Sequence, residues 1–290
     1  MFSTLVVASD GSDTSDRIVD CLGHLRRVGA ERVVLIHVFD VRHVGGLYES
    51  LRPAMEARLG TQRQVLEREG YEVQIETPLG IPFYEINAAG QRHDASALVV
   101  GSLGQSLVAD ITLGSTAHEV LHHATRPVLL LRVQATPGDT AQRCRVVCGD
   151  LFSHTLFPTD FSDTAERAFL HLEHVVRETH GRVTLLHVQD RARLERHLSE
   201  RLDEFNKIDQ ERLDRLKTRL ESCGAAHVDT DIPYGSPIEI LLQRLRTGAV
   251  SLVVMGTQGR GFIHEVLMGS VAGVMARLAP VPVLFVPGIR

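Results

Sequence analysis

Tryptophan is absent from the 290-residue chain, aromatic residues make up 5% of it, and cysteine occurs four times, at Cys21, Cys144, Cys148 and Cys223. No two cysteines have the C-x-x-C spacing of zinc or thioredoxin-like sites. Reduced thiols are therefore expected, with a disulfide or metal role for Cys144 and Cys148 as the less favoured alternative. Apolar runs long enough to span a bilayer, about 18 to 20 residues, are also lacking. With 43% hydrophobic and 23% charged residues and a mean hydropathy of +0.00, the composition is that of a soluble globular protein, which excludes the membrane, collagen-like and disordered classes. Nor is there an excess of basic charge: the formal net charge is -5, so no field pulls the chain onto nucleic acid or anionic lipid. Met1 runs almost directly into Leu5-Val6-Val7-Ala8 without a basic or cleavable apolar leader, and a cytoplasmic location is expected.

What the chain does have is a duplication. Asp10 matches Asp160 and His37-Val38 matches His187-Val188 at an offset of 150; Pro78-Leu79-Gly80-Ile81-Pro82 matches Pro233-Tyr234-Gly235-Ser236-Pro237 at 155, as do Gly101 and Gly256, Gly114-Ser115 and Gly269-Ser270, and Pro127 and Pro282. Each half reads as five short apolar strands alternating with helices. In the second half the strands are expected near 155–159, 183–188, 228–232, 252–255 and 281–286. Their Val, Leu and Ile content suits parallel strands buried on both faces. Leu194, Leu198, Leu202, Phe205, Leu213, Leu216 and Leu220 recur at helical spacing among charges that read as a solvated helix face. Alternating strands and helices imply an α/β doubly wound parallel sheet in each half. The domains are expected at 1–134 and 151–290, joined by a linker at 135–150 that contains Thr136-Pro137-Gly138-Asp139-Thr140.

The chemistry concentrates at two places per half. Strand residues Leu98-Val99-Val100 run into Gly101-Ser102-Leu103-Gly104 and on to Gly114-Ser115; Leu252-Val253-Val254-Met255 run into Gly256-Thr257-Gln258-Gly259-Arg260-Gly261 and on to Gly269-Ser270. Both read G-x-x-G-x9-G-S. A glycine turn lets main-chain amides approach an anion, and the helix that follows adds its positive end, so phosphate is the guest this arrangement suits. A tight turn alone would explain one copy. Two copies of the spacing, with divergent residues between the glycines, point to a geometric requirement. The second place is the end of the first strand, Ala8-Ser9-Asp10-Gly11-Ser12 and Pro158-Thr159-Asp160-Phe161-Ser162. Asp10 and Asp160 either start the next helix or, with flavodoxin-like winding, face the glycine loop across the crevice where ligands bind and accept hydrogen bonds from an adenine amino group or a ribose hydroxyl.

Together the G-x-x-G-x9-G-S loops, Pro158-Thr159-Asp160-Phe161-Ser162, Leu186-His187-Val188 and the closing Pro282-Val283-Leu284-Phe285-Val286-Pro287 resemble the universal stress protein family, in tandem and over nearly the whole chain. The resemblance implies two five-stranded domains of the adenine nucleotide alpha hydrolase-like fold, strand order 3-2-1-4-5, each binding ATP, ADP or AMP in a stress-response or signalling role. On the matching positions, Asp160 and the Val188 main chain would hold the adenine, Gly256 and Gly259 would approach the ribose and phosphates, and Gly269 and Ser270 would complete the phosphate cradle, with Pro158, Thr159 and Arg260 counted among the nucleotide-binding residues. In the first half the matches are Ala8, Ser9, Asp10, Val38, Gly101, Gly104, Gly114 and Ser115. Gln105 stands where the second half has Arg260, so the second half is expected to bind ATP more tightly. The resemblance also implies pairing through the last strands, 126–131 and 281–286, whose apolar edge recruits another strand: the two halves could pair with each other or with a second chain, and a homodimer of tandem chains is expected. The identity of protein partners is not legible.

Asp110 and Glu265 occupy matching places inside the loops and would either help hold Mg²⁺ beside a bound nucleotide or support the loop. His171, His174, His122 and His123 lack a third ligand in sequence and read as surface or helix-end residues; His37 and His187 read as packing residues beside the crevice. The chain has no Walker-type, G-x-S-x-G, HIGH-type or S-G-G-x-D-S motif, so a slow ATPase or adenylating enzyme is the second reading and a ligand-free adaptor the third.

Overall fold

A computed structural model describes residues 2–103, 113–135, 144–146, 149–190, 202–259 and 268–289. The chain divides into two compact units, residues 1–148 and 149–289. Among the described residues no helix is long and apolar enough to cross a membrane.

The first unit runs β1 (Thr4–Ala8), α1 (Asp13–Cys21), β2 (Arg32–Ile36), α2 (Tyr48–Arg68), β3 (Glu72–Glu76), α3 (Pro82–Arg92), β4 (Ala97–Gly101), α4 (Ser115–His123) and β5 (Val128–Leu131), followed by an antiparallel hairpin of β6 (Val133–Ala135) and β7 (Cys144–Val146). The second runs β8 (His154–Pro158), α5 (Asp163–Thr179), β9 (Arg182–Leu186), α6 (Leu202–Ser222), β10 (His227–Asp231), α7 (Pro237–Arg246), β11 (Leu252–Gly256), α8 (Ser270–Leu278) and β12 (Val283–Val286). The main sheets order as β3-β2-β1-β4-β5 and β10-β9-β8-β11-β12, parallel at every pairing. Both are the 3-2-1-4-5 order of a doubly wound fold.

The strands are apolar on both faces because helices cover both faces. Val6 pairs Val34 on one side and Leu98 on the other, and all three are buried. In the second unit Phe157 of β8 meets Phe169 of α5 edge to face, ring centroids 5.4 Å apart, with both side chains fully buried. Several strand ends are shifted by one or two residues from the sequence expectation. The last strand starts at Val283 because Pro282 has no N–H to donate; its carbonyl instead accepts from Val253 N at 3.0 Å. The helix expected from Leu194 onward is α6 over its described part, where Leu213, Leu216 and Leu220 are buried; Leu194 and Leu198 lie outside the described residues.

Part of the expected linker, residues 144–146, is strand β7, which pairs Cys144 with Ala135 and lies against α1. The expectation of reduced thiols fails at Cys21, which is disulfide-bonded, whereas Cys223 is a free thiol. The spacing of cysteines along the chain carried no hint of this.

Candidate functional site

In a 3-2-1-4-5 sheet the winding reverses between the first and fourth strands, and a crevice opens beyond their carboxyl ends. Gly101 and Gly256 are the last residues of β4 and β11, while Asp10 and Asp160 lie two residues past β1 and β8. The fold thus delivers the two motifs of each half to one edge, as their positions in sequence suggest.

The aspartates start the local structure and also face the crevice. Asp160 Oδ1 accepts from Ser162 N at 3.1 Å, and Asp10 Oδ1 from Ser12 N at 3.0 Å and Ser12 Oγ at 2.5 Å. These are Asx turns, and the helix caps proper are the serines: Ser12 Oγ accepts from Ser15 N and Ser162 Oγ from Ala165 N, each at 3.3 Å. The residue before each aspartate supports the same turn, Ser9 Oγ accepting from Gly11 N and Thr159 Oγ1 from Phe161 N. Ala8 and Pro158 end the strands just ahead of these turns.

Across the crevice, Gly259 faces Asp160 so closely that a β-carbon there would strike Asp160 Oδ2. With Oδ1 held by Ser162, the carboxylate has little room to yield. Gly256 is pressed against α5, where an added β-carbon would come 2.7 Å from Thr164 Cγ2 and 3.1 Å from Thr164 C. Gly101 is pressed against α1 in the same way, 2.5 Å from Ile18 Cδ1. The last glycine of each motif, Gly114 or Gly269, donates its N–H to the carbonyl of Ser102 or Thr257 at 2.7 Å and then caps α4 or α8 without a side-chain hydrogen bond. Beside the glycine turn each unit therefore has two helix starts, those of α1 and α4 or of α5 and α8. One is capped by a serine, whereas the other, beginning at Ser115 or Ser270, has no side-chain cap, and an uncapped helix start with its positive end is the arrangement that holds anions. Gly104, Arg260, Asp110 and Glu265 lie outside the described residues.

Val38 and Val188 follow His37 and His187, and these histidines do more than pack. Thr159 N donates to Leu186 O at 2.9 Å, after which His187 Nδ1 bonds the Thr159 carbonyl at 2.8 Å; His37 Nδ1 bonds the Ser9 carbonyl at 2.9 Å in the same way. The ring thereby fixes the peptide that leads into the aspartate. Repetition of His-Val at matching positions was the visible signal for this role. Burial lowers the pKa of His37 against the opposing pull of the Ser9 carbonyl and Asp10, favouring the neutral ring whose Nδ1–H donates to Ser9.

The two crevices differ in their walls. His187 Nε2 lies 3.3 Å from Asp209 Oδ2 of α6, and that carboxylate also accepts from Gln189 Nε2 at 2.8 Å and Arg212 Nη1 at 3.2 Å. Phe161 stacks beside His187 at 4.7 Å, with Arg212 5.2 Å from the Phe161 ring centre. In the first unit Gln62 of α2 links Ser9 Oγ at 2.8 Å to Asp16 Oδ1 at 2.8 Å, and Arg58 pairs with Asp16 and donates to Gly11 O. The first unit also has a buried cation, Arg132, directly after β5; burial pushes its pKa down to about 10. It stands opposite Pro287 in the repeat, and composition gave no sign of its burial.

No group of three or more histidine, cysteine or acidic side chains among the described residues is arranged to hold a metal. His123 stacks on Phe83 at 4.8 Å and His122 lies 4.3 Å from His118. His171 is half-buried rather than a surface residue, and burial lowers its pKa to about 4, with Arg167 and His174 adding to the shift.

The universal stress protein family model matches residues 1–132 and again 152–287. The chain belongs to the universal stress protein family. Its two units have the adenine nucleotide alpha hydrolase-like fold. Among curated relatives, universal stress protein MJ0577 of Methanocaldococcus jannaschii is 29% identical over 155 residues, covering 47% of this chain and 95% of that protein. Universal stress protein YxiE of Bacillus subtilis is 31% identical over 150 residues, covering 46% of this chain and all of that protein. These single-length relatives each match about half of the tandem chain. A universal stress protein from Archaeoglobus fulgidus, 24% identical, superposes over 99% of both chains with a TM-score of 0.78 and so shares the two-unit fold.

Proposed function

We propose that this universal stress protein binds adenine nucleotide, ATP, ADP or AMP, in the crevice of each unit and acts in stress response through nucleotide-dependent conformation or assembly. The reading is carried by one observation: Asp160 and the Gly259 main chain face each other beside a helix start, at Ser270, that no side chain caps. An acidic side chain suits the base or ribose, and outward amides suit phosphate, so the two ends of a nucleotide have separate partners. In this reading Asp160, the strand end Pro158-Thr159 and the Val188 main chain meet the base. Gly256, Gly259 and Arg260 meet the ribose and phosphates, and Gly269 and Ser270 close on the terminal phosphate. Ala8, Ser9, Asp10, Val38, Gly101, Gly104, Gly114 and Ser115 take the same parts in the first unit. The second unit binds more tightly, because Arg260 adds a charged phosphate contact where the first has Gln105. A ligand held by both units favours the conformation that binds it better, which a partner then reads.

Isothermal titration with ATP, alongside mass spectrometry of small molecules released from the purified protein, tests this. Binding is expected, with a rise in melting temperature as ATP is added. No heat, no shift and no released nucleotide at millimolar ATP would rule the reading out. Gly114→Ala losing more affinity than Gly269→Ala would reverse the ranking of the units.

A further inference from the structure

Helix α4 carries a pattern that its place after the glycine motif does not use: His118-Glu119-Val120-Leu121-His122, followed by His123. Residues four apart on a helix share one face, so His118 and His122 stand one turn apart on the same side. Their ring centroids are 4.3 Å apart at an interplanar angle of 33°. Glu119 Oε1 lies 3.5 Å from His118 Nδ1 and its Oε2 lies 3.5 Å from His123 Nε2, while the His123 ring stacks on Phe83 of α3 at 4.8 Å. His118 and Glu119 keep 43% and 44% of their side-chain surface exposed, and His122 is half-buried. His118 thus gives Nδ1 to a carboxylate and has Nε2 for a ligand, and a carboxylate behind a metal-binding histidine fixes its tautomer and raises its basicity. At His122 one ring nitrogen can take a metal while the other keeps a hydrogen bond. The same residues spell the H-E-x-x-H of zinc hydrolases, whose third protein ligand and metal-facing glutamate make a catalytic site. Here Glu119 is turned to His118 and His123, and among the described residues no three-ligand set is formed. The geometry supports binding by two imidazoles, with water completing the ion's shell, and not hydrolysis.

The duplication supplies an internal control. At the offset of 155, Gly273, Val274, Arg277 and Leu278 of α8 stand where α4 has His118, Glu119, His122 and His123. The second unit builds the same strand order without them, so the histidines are not a requirement of the fold. We propose that His118 and His122 bind one late first-row divalent ion, of the class of Cu²⁺, Ni²⁺ and Zn²⁺, on α4 of the first unit, with no counterpart on α8. Imidazole suits these ions, and Cu²⁺ binds tightest in the general order, whereas Mg²⁺ and Ca²⁺ prefer oxygen ligands. The ion joins two turns of the helix that follows Gly114, whose N–H is bonded to the Ser102 carbonyl of the glycine turn. Because the folded helix alone holds both rings in place, binding stabilises the first unit. The site goes beyond the nucleotide reading and does not depend on it.

The test uses the full chain, stripped with EDTA and with no nucleotide added. Calorimetric titration with Ni²⁺ is expected to show a site that Mg²⁺ does not fill. His118→Ala and His122→Ala should each weaken it by about 100-fold, because a single imidazole loses the advantage of two linked ligands. Glu119→Gln, which leaves both ligands in place, should weaken it by about tenfold. On the unaltered chain loaded with one equivalent of Cu²⁺, electron paramagnetic resonance should show two nitrogen ligands, a readout that does not depend on any variant folding. Gly273→His with Arg277→His places the same pair on α8, where a β-carbon at Gly273 meets nothing closer than Arg277 Nη1 at 3.8 Å, and should add one bound Ni²⁺ per chain. No Ni²⁺ bound at millimolar concentration, or a Cu²⁺ spectrum with fewer than two nitrogens, overturns the site. Undiminished Ni²⁺ binding in both alanine variants overturns it as well, since the ion then sits elsewhere among the 15 histidines. A pair on α8 that takes up no ion overturns the claim that this spacing suffices. None of these outcomes bears on ATP binding, which is titrated separately.

Discussion

Position 21 in the first unit and position 171 in the second occupy matching places in the repeat, and they leave the two units sensitive to different chemistry. Cys21 is disulfide-bonded at the end of α1, while His171 is half-buried midway along the longer α5 with its pKa lowered to about 4. The comparison teaches that a doubly wound core tolerates either side chain, because strand pairing and the apolar faces carry the fold. What changes is the condition under which each unit loosens.

The largest separation of the units should come from reduction. Removing a native disulfide typically costs about 2 to 5 kcal/mol. Calorimetry with and without a strong reductant should lower the melting transition of the first unit and leave the second in place. Equal shifts in both would end the asymmetry. Acid should act the other way round. His171 prefers to be neutral when folded, with its pKa below the usual 6.5, so the stability it permits is complete above about 6.5. That stability falls as pH drops toward 4, because the unfolded chain takes up the proton first. The loss for the second unit is on the order of 3 kcal/mol. His37 pushes the first unit in the same direction, and His154 adds to the second. His171→Cys under reducing conditions should flatten the acid slope of the second unit, as read by urea melts at pH 7 and pH 4.5; an unchanged slope would remove His171 as its cause.

The fold and half of the site were legible because both are written locally. Runs of Val, Leu and Ile separated by helical spacing predict the strands, and the repeat offset predicts that Asp10 and Gly101 have counterparts that come together. The roles of His37 and His187 on the Ser9 and Thr159 carbonyls, and the burial of Arg132, depend on which groups lie side by side after folding. The Cys21 bond is the extreme case, because nothing in the cysteine spacing marks it. Of these, the repeated His-Val pairs alone left a trace in the sequence.

The crevice itself sharpens the comparison next. Gly259→Ala would drive a methyl into Asp160 Oδ2, which the Asx turn with Ser162 keeps from moving aside. Loss of that opposition should weaken ATP binding to the second unit by about 100-fold, equivalent to roughly 2.7 kcal/mol, without lowering affinity in the first. Titration resolved by unit checks this, and retained affinity in the second unit would show that Asp160 and the loop need not meet around a ligand.

The smallest effect lies beside the aspartates, where the two units adopt one backbone conformation with different residues. Gly11 has φ +72° and Phe161 φ +56°. Glycine reaches that region at no steric cost, whereas any other L-residue pays about 1 to 2 kcal/mol. In the second unit the Phe161 ring offsets the strain by packing 4.7 Å from the His187 ring and 5.2 Å from the Arg212 guanidinium, but the first has no equivalent space, since a β-carbon on Gly11 would come 2.9 Å from Met55 Sδ. Gly11→Ala should therefore destabilise the first unit by about 1 to 2 kcal/mol, and adding Met55→Ala should recover the share that comes from the clash while leaving the backbone share. Recovery of the whole loss in the double variant would mean that backbone strain at this turn is negligible, and then Phe161 in the second unit needs no compensation from its stacked neighbours.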